Sequence, residues 1–177
     1  MEPVEIIYKP KYEIKEKTWA TNGMRGKREK NIVNSLYLEA DLLYKHNLNL
    51  QEKYKLIKEK EARAEKYKTE DADIILVSYG TMSRVCRGVV DTFRGENKKI
   101  GMIRPITLWP FPEKEFKNNN NCKMYISIEM SMGQMIDDIK LACECKGPVK
   151  FFGKAGGIVP TSHEIIEHIK EFAGGIL

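Results

Sequence analysis

The chain is expected to fold as an α/β protein, a three-layer αβα sandwich around a mostly parallel sheet. Two observations support this. Short apolar runs recur at residues 73–79, 99–104, 124–128 and 149–152. Stretches with apolar residues at helical spacing separate them. Apolar strands joined by crossover helices describe a parallel sheet covered on both faces.

The elements follow in chain order. Residues 1–38 read as an extended arm, with a turn at Asn22-Gly23. Residues 39–70 read as a helical segment, with a helical pattern over 39–68. Leu43, Leu50, Tyr54, Ile57 and Ala64 share one side, and seven Lys/Arg and five Glu fall between 51 and 70. That mixture is the pattern of a solvated face with weak ion pairs. The sandwich then occupies 71–177. Asp73–Tyr79 is its first strand, Met82–Phe93 a helix with Val85, Val89, Val90 and Phe93 on one stripe, and Lys99–Arg104 the second strand. Pro112–Phe116 reads as a short helix opened by proline, and 118–121 as a polar loop. Met124–Ile128, a helix over Ser131–Cys143, the strand Val149–Phe152 and a helix over Thr161–Phe172 complete the alternation.

Composition narrows the function classes. The 177 residues are 42% hydrophobic and 31% charged, with a net charge of +5 spread along the chain. No basic block marks a nucleic-acid face, no apolar run reaches membrane-spanning length, and the N-terminus lacks the apolar segment of a secretion signal. Cys86, Cys122, Cys143 and Cys145 fit neither a paired zinc motif nor a ferredoxin cluster run. A reduced, cytoplasmic protein is expected, with Cys143-x-Cys145 as a weak soft-metal alternative.

Candidate sites lie in four loops at the carboxyl ends of the strands, where open parallel sheets meet ligands and partners. At Gly80, Thr81 and Ser83 a strand enters a helix, and backbone N–H groups there suit an anion. Capping by Thr81 or Ser83 is the structural alternative. Lys154, within Gly153-Lys-Ala-Gly-Gly157, is a second anion candidate. Arg104, Trp109 and Phe111 belong to Ile103-Arg-Pro-Ile-Thr-Leu-Trp-Pro-Phe-Pro112. Its prolines end the strand and stiffen the loop, so the two aromatics face either a partner or the domain's own core. Glu129 ends the third strand. It reads as a base, as an acceptor for a cofactor amine, or as a cap for the next helix. Met130, Met132 and Gln134 follow it and offer soft apolar packing. Gly156 and Gly157 permit close backbone approach. Interface roles are expected for Arg104, Trp109, Phe111, Glu129, Met130, Met132, Gln134, Gly156 and Gly157. His163 and His168 are expected to be exposed. No nucleophile–base pair and no metal cluster emerges.

Taken in order, Thr18-Trp-Ala-Thr-Asn-Gly23, Asn34-Ser-Leu-Tyr-Leu38, Tyr79-Gly-Thr81, the 103–112 block, Glu129-Met-Ser-Met-Gly-Gln-Met135 and Gly153-Lys-Ala-Gly-Gly157 resemble the 2-oxoacid:ferredoxin oxidoreductases. The branched-chain (2-oxoisovalerate, or 3-methyl-2-oxobutanoate) type is the nearest in pattern. Within it they match the C-terminal part of the subunit that carries the pyrimidine-binding domain. The resemblance runs from about residue 17 to about residue 170. It implies a domain like the transketolase C-terminal domain. It also implies a parent reaction, oxidative decarboxylation of a 2-oxoacid to an acyl-CoA with reduction of ferredoxin. Thiamine diphosphate, magnesium, iron–sulfur clusters and coenzyme A would be held by other parts of a multi-subunit complex. On that reading this chain carries no catalytic residue, binds no cofactor alone, and meets the other subunits through its loops. The alternative is a free-standing regulatory domain that binds an anion such as a CoA phosphate.

Overall fold

A computed structural model describes residues 15–24, 26–117, 119, 121–144 and 146–177. The first fourteen residues of the expected arm, Asn118 and Asn120 of the polar loop, and Cys145 lie outside them. Two compact units divide after Lys53.

In the first unit, the segment around 18–31 is closed by polar side chains. The Arg28 guanidinium donates to the Ala20 carbonyl at 2.5 Å and to Asn22 Oδ1 at 2.9 Å. The Asn31 amide donates to the Thr18 carbonyl at 2.7 Å. Gly23 turns the chain at φ +89°, as the Asn-Gly pair predicts. Helix α1 (Ala40–Glu61) begins in this unit and ends in the next, with no buried residue along its length.

The second unit, 54–177, is the sandwich. Its strands are β1 (Ala64–Tyr67), β2 (Ile74–Val77), β3 (Ile100–Pro105), β4 (Met124–Glu129) and β5 (Val149–Gly153). Its helices are α2 (Gly80–Gly95), α3 (Lys114–Lys117), α4 (Met135–Ala142) and α5 (Ser162–Ala173). The sheet order is β1-β3-β2-β4-β5. β2 to β5 are parallel, and β1 is antiparallel to β3 with Ala64 opposite Pro105. β2, β3 and β4 are almost wholly buried, as expected of strands covered on both faces. Alternate residues feed two cores. Ile74, Leu76, Ile126 and Ile128 pack with α2 and α5, among Cys86, Val90, Ile165 and Ile169. Ile75, Val77, Ile103 and Tyr125 pack on the other face with Phe116, Met135 and Ile139.

Two expectations need correction. The helical pattern stops at Glu61, and Ala64–Tyr67, read as helix, is an edge strand of the sheet. The two compact units divide inside α1, and within the second the Tyr54 ring packs edge-on against Trp109, with centroids 5.7 Å apart. The fourth helix begins at Met135, not Ser131, because Gly133 at φ +98° keeps the preceding turn out of the helix.

Gly101 marks a close approach between strands and the connection before β2. A Cβ there would meet the Lys68 carbonyl oxygen and stand 2.9 Å from the carbonyl carbon, so only glycine fits. Arg94 at the end of α2 fixes the same region. It donates to the carbonyls of Ile100 and Lys68, both at 2.7 Å, and holds Asp71 in a two-pronged ion pair. The guanidinium keeps the Asp71 carboxyl below the usual carboxylate range.

Candidate functional site at the sheet switch point

The chain runs from β2 to β3 on one side, then crosses back to β4 on the other. The carboxyl ends of β2 and β4 therefore flank the point where strand order reverses, the usual crevice of an open α/β sheet. A cavity of about 130 Å³ lies there, lined by Tyr79, Gly80, Thr81, Met82, Glu129 and Met130. Two of the four predicted loops meet in it.

On the β2 side, the strand passes through Tyr79 directly into α2. Gly80, at φ +58°, adopts the left-handed backbone that makes this sharp entry possible. Neither Thr81 nor Ser83 caps the helix. Tyr79 holds the N-cap position, and its side chain makes no capping hydrogen bond. Ser83 is buried and instead donates to the Gly80 carbonyl at 2.7 Å. The first-turn N–H groups thus keep their partial positive charge beside the cavity.

On the β4 side, Glu129 is 1% exposed. Its carboxyl oxygens accept four hydrogen bonds. The hydroxyls of Ser127 and Ser131 each donate at 2.7 Å, and the backbone N–H groups of Met135 and Ile136 donate at 3.1 and 3.2 Å. Of its three readings from sequence, the helix cap is the one realised. It is a cap placed six residues ahead of its helix rather than at the N-cap position, where Gln134 makes no side-chain bond. Its acceptor sites are filled from within the domain, at the edge of the cavity it helps to line. Ser127 and Ser131, which complete the network, carried no signal in the sequence.

The other predicted residues divide sharply. Lys154 is not poised for an anion. Its ammonium pairs with Glu164, which also closes a capping box with Thr161 at the start of α5. Lys154 and the Thr161 groups together lower the Glu164 carboxyl to about 2. A depressed carboxyl pKa adds stability that is complete above the unfolded-state value near 4.5 and is lost as pH falls toward 2. Lys154→Gln is therefore expected to lower Tm at pH 6, and its Tm gap to the wild type should close between pH 4.5 and pH 2. A gap constant across that window would refute the assignment.

Arg104 is half-buried and points its guanidinium at Glu65 on β1, at 3.3 Å, an ion pair within the domain. Phe111 packs inward against its own core, stacked on Phe116 with centroids 5.3 Å apart. Trp109 points the other way and stays 59% exposed. Its loop is fixed from below. Ile106 and Thr107 donate backbone N–H groups to the Arg63 carbonyl, and the Thr107 hydroxyl donates to the Pro110 carbonyl at 2.9 Å. The stiff proline loop thus sends one aromatic into the core and holds the other out.

Met130, Met132 and Gln134 are exposed, as are Gly156 and Gly157, whose positive φ values and open surroundings mark a free turn. Ile158 and Val159 are exposed beside those glycines in the chain. His168 is not exposed as expected. It lies half-buried with its ring 4.1 Å from that of Phe152. Among the described residues, no group of three or more His, Cys, Asp and Glu could hold a metal ion, and no helix is long and apolar enough to cross a membrane.

Comparison with known proteins gives the fold its relatives. The chain is 43% identical over 159 residues to the ketoisovalerate oxidoreductase subunit VorB of Methanothermobacter marburgensis, an alignment that covers 89% of this chain and 44% of that protein. It is 33% identical over 102 residues to the 2-oxoglutarate synthase subunit KorA of the same organism, covering 57% of this chain and 27% of the relative. The chain thus spans less than half the length of the curated relatives it matches. Among solved structures, it superposes on a 2-oxoglutarate:ferredoxin oxidoreductase from Magnetococcus marinus with TM-score 0.62 and 22% identity, over 81% of this chain and 25% of that one. A split-gene transketolase matches with TM-score 0.52 and 12% identity, over 62% of this chain and 40% of that one, and supports the transketolase-like fold. The family described as pyruvate:ferredoxin oxidoreductase core domain II matches residues 72–165, a stretch that begins just before β2 and ends inside α5. By that match, the chain belongs to the pyruvate:ferredoxin oxidoreductase core domain II family.

Proposed function

We propose that this chain supplies the core domain II of a multi-subunit 2-oxoacid:ferredoxin oxidoreductase whose substrate is a branched-chain 2-oxoacid of the ketoisovalerate type. The observation that carries this reading is the 43% identity to a ketoisovalerate oxidoreductase subunit across 89% of the chain, against 33% across 57% for a 2-oxoglutarate synthase subunit. In this reading the chain assembles and positions. Thiamine diphosphate, magnesium, iron–sulfur clusters and coenzyme A are held by other parts of the complex, and ferredoxin takes the electrons there. The filled acceptor sites of Glu129 and the donor sets of the described residues support a domain without its own chemistry. The alternative, a free-standing domain that binds an anion or CoA through Gly80, Thr81, Ser83 and Lys154, is weakened by the Lys154–Glu164 pair and by the buried, committed Ser83 hydroxyl.

The surface toward the partner subunits would be apolar and would sit at the strand ends. Met130, Met132, Ile158 and Val159 are exposed there, and Ile106, Leu108 and Trp109 are exposed on the proline loop. Apolar side chains gathered on the rim of a ligand crevice suit burial against protein.

The test is reconstitution with the thiamine-binding and cluster-bearing polypeptides of the source organism. Ketoisovalerate- and CoA-dependent reduction of ferredoxin is expected only when this chain is present, and the chain should co-purify with them. Full activity without it, or reduction of ferredoxin by this chain alone, would end the proposal. Trp109→Ala in the same assembly is expected to weaken co-purification about tenfold or more, as the loss of a buried aromatic anchor does, with Tm of the isolated domain lowered by only a few degrees. Equal loss of both would place Trp109 in the domain's own packing.

A further inference from the structure

The first unit is built inside out. Among its described residues, from 15 to 53, none is buried. Its half-buried residues are Ala20, Arg28, Asn31, His46 and Leu50, three of them polar. Those three hold the shape of the unit. Arg28 and Asn31 donate across the 18–31 turn to the carbonyls of Ala20 and Thr18. His46 on α1 meets the Tyr37 hydroxyl through Nδ1 at 3.2 Å, and the two rings stack with centroids 4.5 Å apart. The large apolar side chains are left outside. Ile32, Val33, Leu36 and Leu38 are 71–87% exposed, and Leu42 and Tyr44 in the first turns of α1 follow at 48% and 65%.

A lone exposed leucine needs no explanation, but a run of exposed apolar side chains marks a surface that is covered. The unit's own polar bonds give these side chains nothing apolar to fold onto. The stretch 31–44 also carries no lysine or arginine, and its only charges are Glu39 and Asp41. Segments that lie on a membrane carry cations on their polar face, so this run suits a protein surface rather than a lipid one. Its extent is also that of a protein contact. Residues 18–44 match the roughly 20–30 positions that one side of a standard interface supplies.

We propose that the 18–44 segment is a docking surface for the part of the ketoisovalerate oxidoreductase subunit that this chain does not span, an inference that rests on the function proposed above. The 43% identity to VorB covers 89% of this chain, so the alignment takes in most of the segment, yet it takes in only 44% of the relative. More than half of that relative lies outside the alignment, on the same polypeptide as the counterpart of the segment. A tethered partner acts at an effective concentration on the order of millimolar, which favours it over a second copy that arrives by diffusion. The occupant is apolar where it covers Ile32 to Leu38 and cationic where it faces Glu39 and Asp41, since interfaces pair opposite potentials.

The full 177-residue chain, assembled with the other polypeptides of the source organism's complex, tests the surface. Lys27, Lys30 and Lys45 are exposed on either side of the apolar run. A lysine-reactive cross-linker should join them to a polypeptide whose sequence aligns with the unspanned part of VorB. Leu36→Asp/Leu38→Asp is expected to weaken co-purification with that polypeptide about tenfold or more. The denaturation midpoint of the isolated chain should not move, because neither leucine is buried. Undiminished co-purification of the variant, in a complex that the wild type forms, would overturn the docking surface and leave the proposed function standing. Failure of the wild-type chain to join any complex would bring down both. Cross-links to a second copy of this chain, or wild-type binding to phosphatidylserine vesicles that the variant loses, would overturn the proposal by giving the surface another occupant. Should the variant fail to fold, the wild-type cross-links decide.

Discussion

Glu129→Ala is expected to lower the unfolding free energy of the domain by about 3–5 kcal/mol, seen as a lower denaturant midpoint at unchanged slope. The magnitude follows from what the carboxyl leaves behind. Its loss strands two backbone N–H groups at the head of α4 and the buried Ser127 hydroxyl, in a place that is 1% exposed at Glu129 itself. Each stranded donor costs about 1–3 kcal/mol. Glu129→Gln should recover part of the loss, because one oxygen acceptor remains while the amide nitrogen faces groups that also donate. A change below about 1 kcal/mol for the alanine variant would show that water replaces the carboxyl without penalty, against the burial described.

Gly153→Ala is expected to destabilise by about 1–3 kcal/mol, the cost of forcing a side chain into a filled space. At this position a Cβ would stand 2.6 Å from the end of the Phe151 ring, 2.7 Å from the Ser131 carbonyl oxygen and 2.8 Å from the Glu129 carbonyl oxygen. The ring can move, but the two carbonyls belong to the end of β4 and the turn that follows it. They give way only if the β4–β5 ladder opens at its last rung, where Glu129 faces Gly153 and the Lys154 N–H donates to the Glu129 carbonyl at 3.2 Å. The two substitutions act on one turn, so the double variant should depart from additivity by 0.5 kcal/mol or more. Strict additivity by chemical denaturation would mean that the turn and the buried carboxyl are independent.

Legibility in the sequence followed a physical rule. β2, β3 and β4 were readable because strands covered on both faces must be apolar along their whole length. α5 opens on a capping box between Thr161 and Glu164, a signal contained within four residues of sequence. β1 was not readable. Ala64-Glu-Lys-Tyr67 carries charge that a sheet edge tolerates, and it continues the charged pattern of α1, so only pairing with β3 makes it a strand. The cap made by Glu129 was one of three open readings. A carboxyl that reaches forward to a helix six residues away has no fixed spacing to recognise, unlike a true N-cap residue.

What the amino-acid order fixed on its own is the alternation of strands and helices, the positions of the strand-end loops, and the membership that the 103–112 and 129–135 blocks announce. These depend on periodicity and on turn chemistry, both local along the chain. Tertiary structure alone decided which way each side chain of those loops points. Trp109 and Phe111 are two residues apart in one rigid loop, yet one lies outside and the other stacks on Phe116. Lys154, a free cation in the sequence, is claimed by Glu164 on another element. Cys122 and Cys143 line one cavity that no motif foretold. In each case the deciding partner sits on another element of the fold, and contact with it outweighs any preference the local sequence can express.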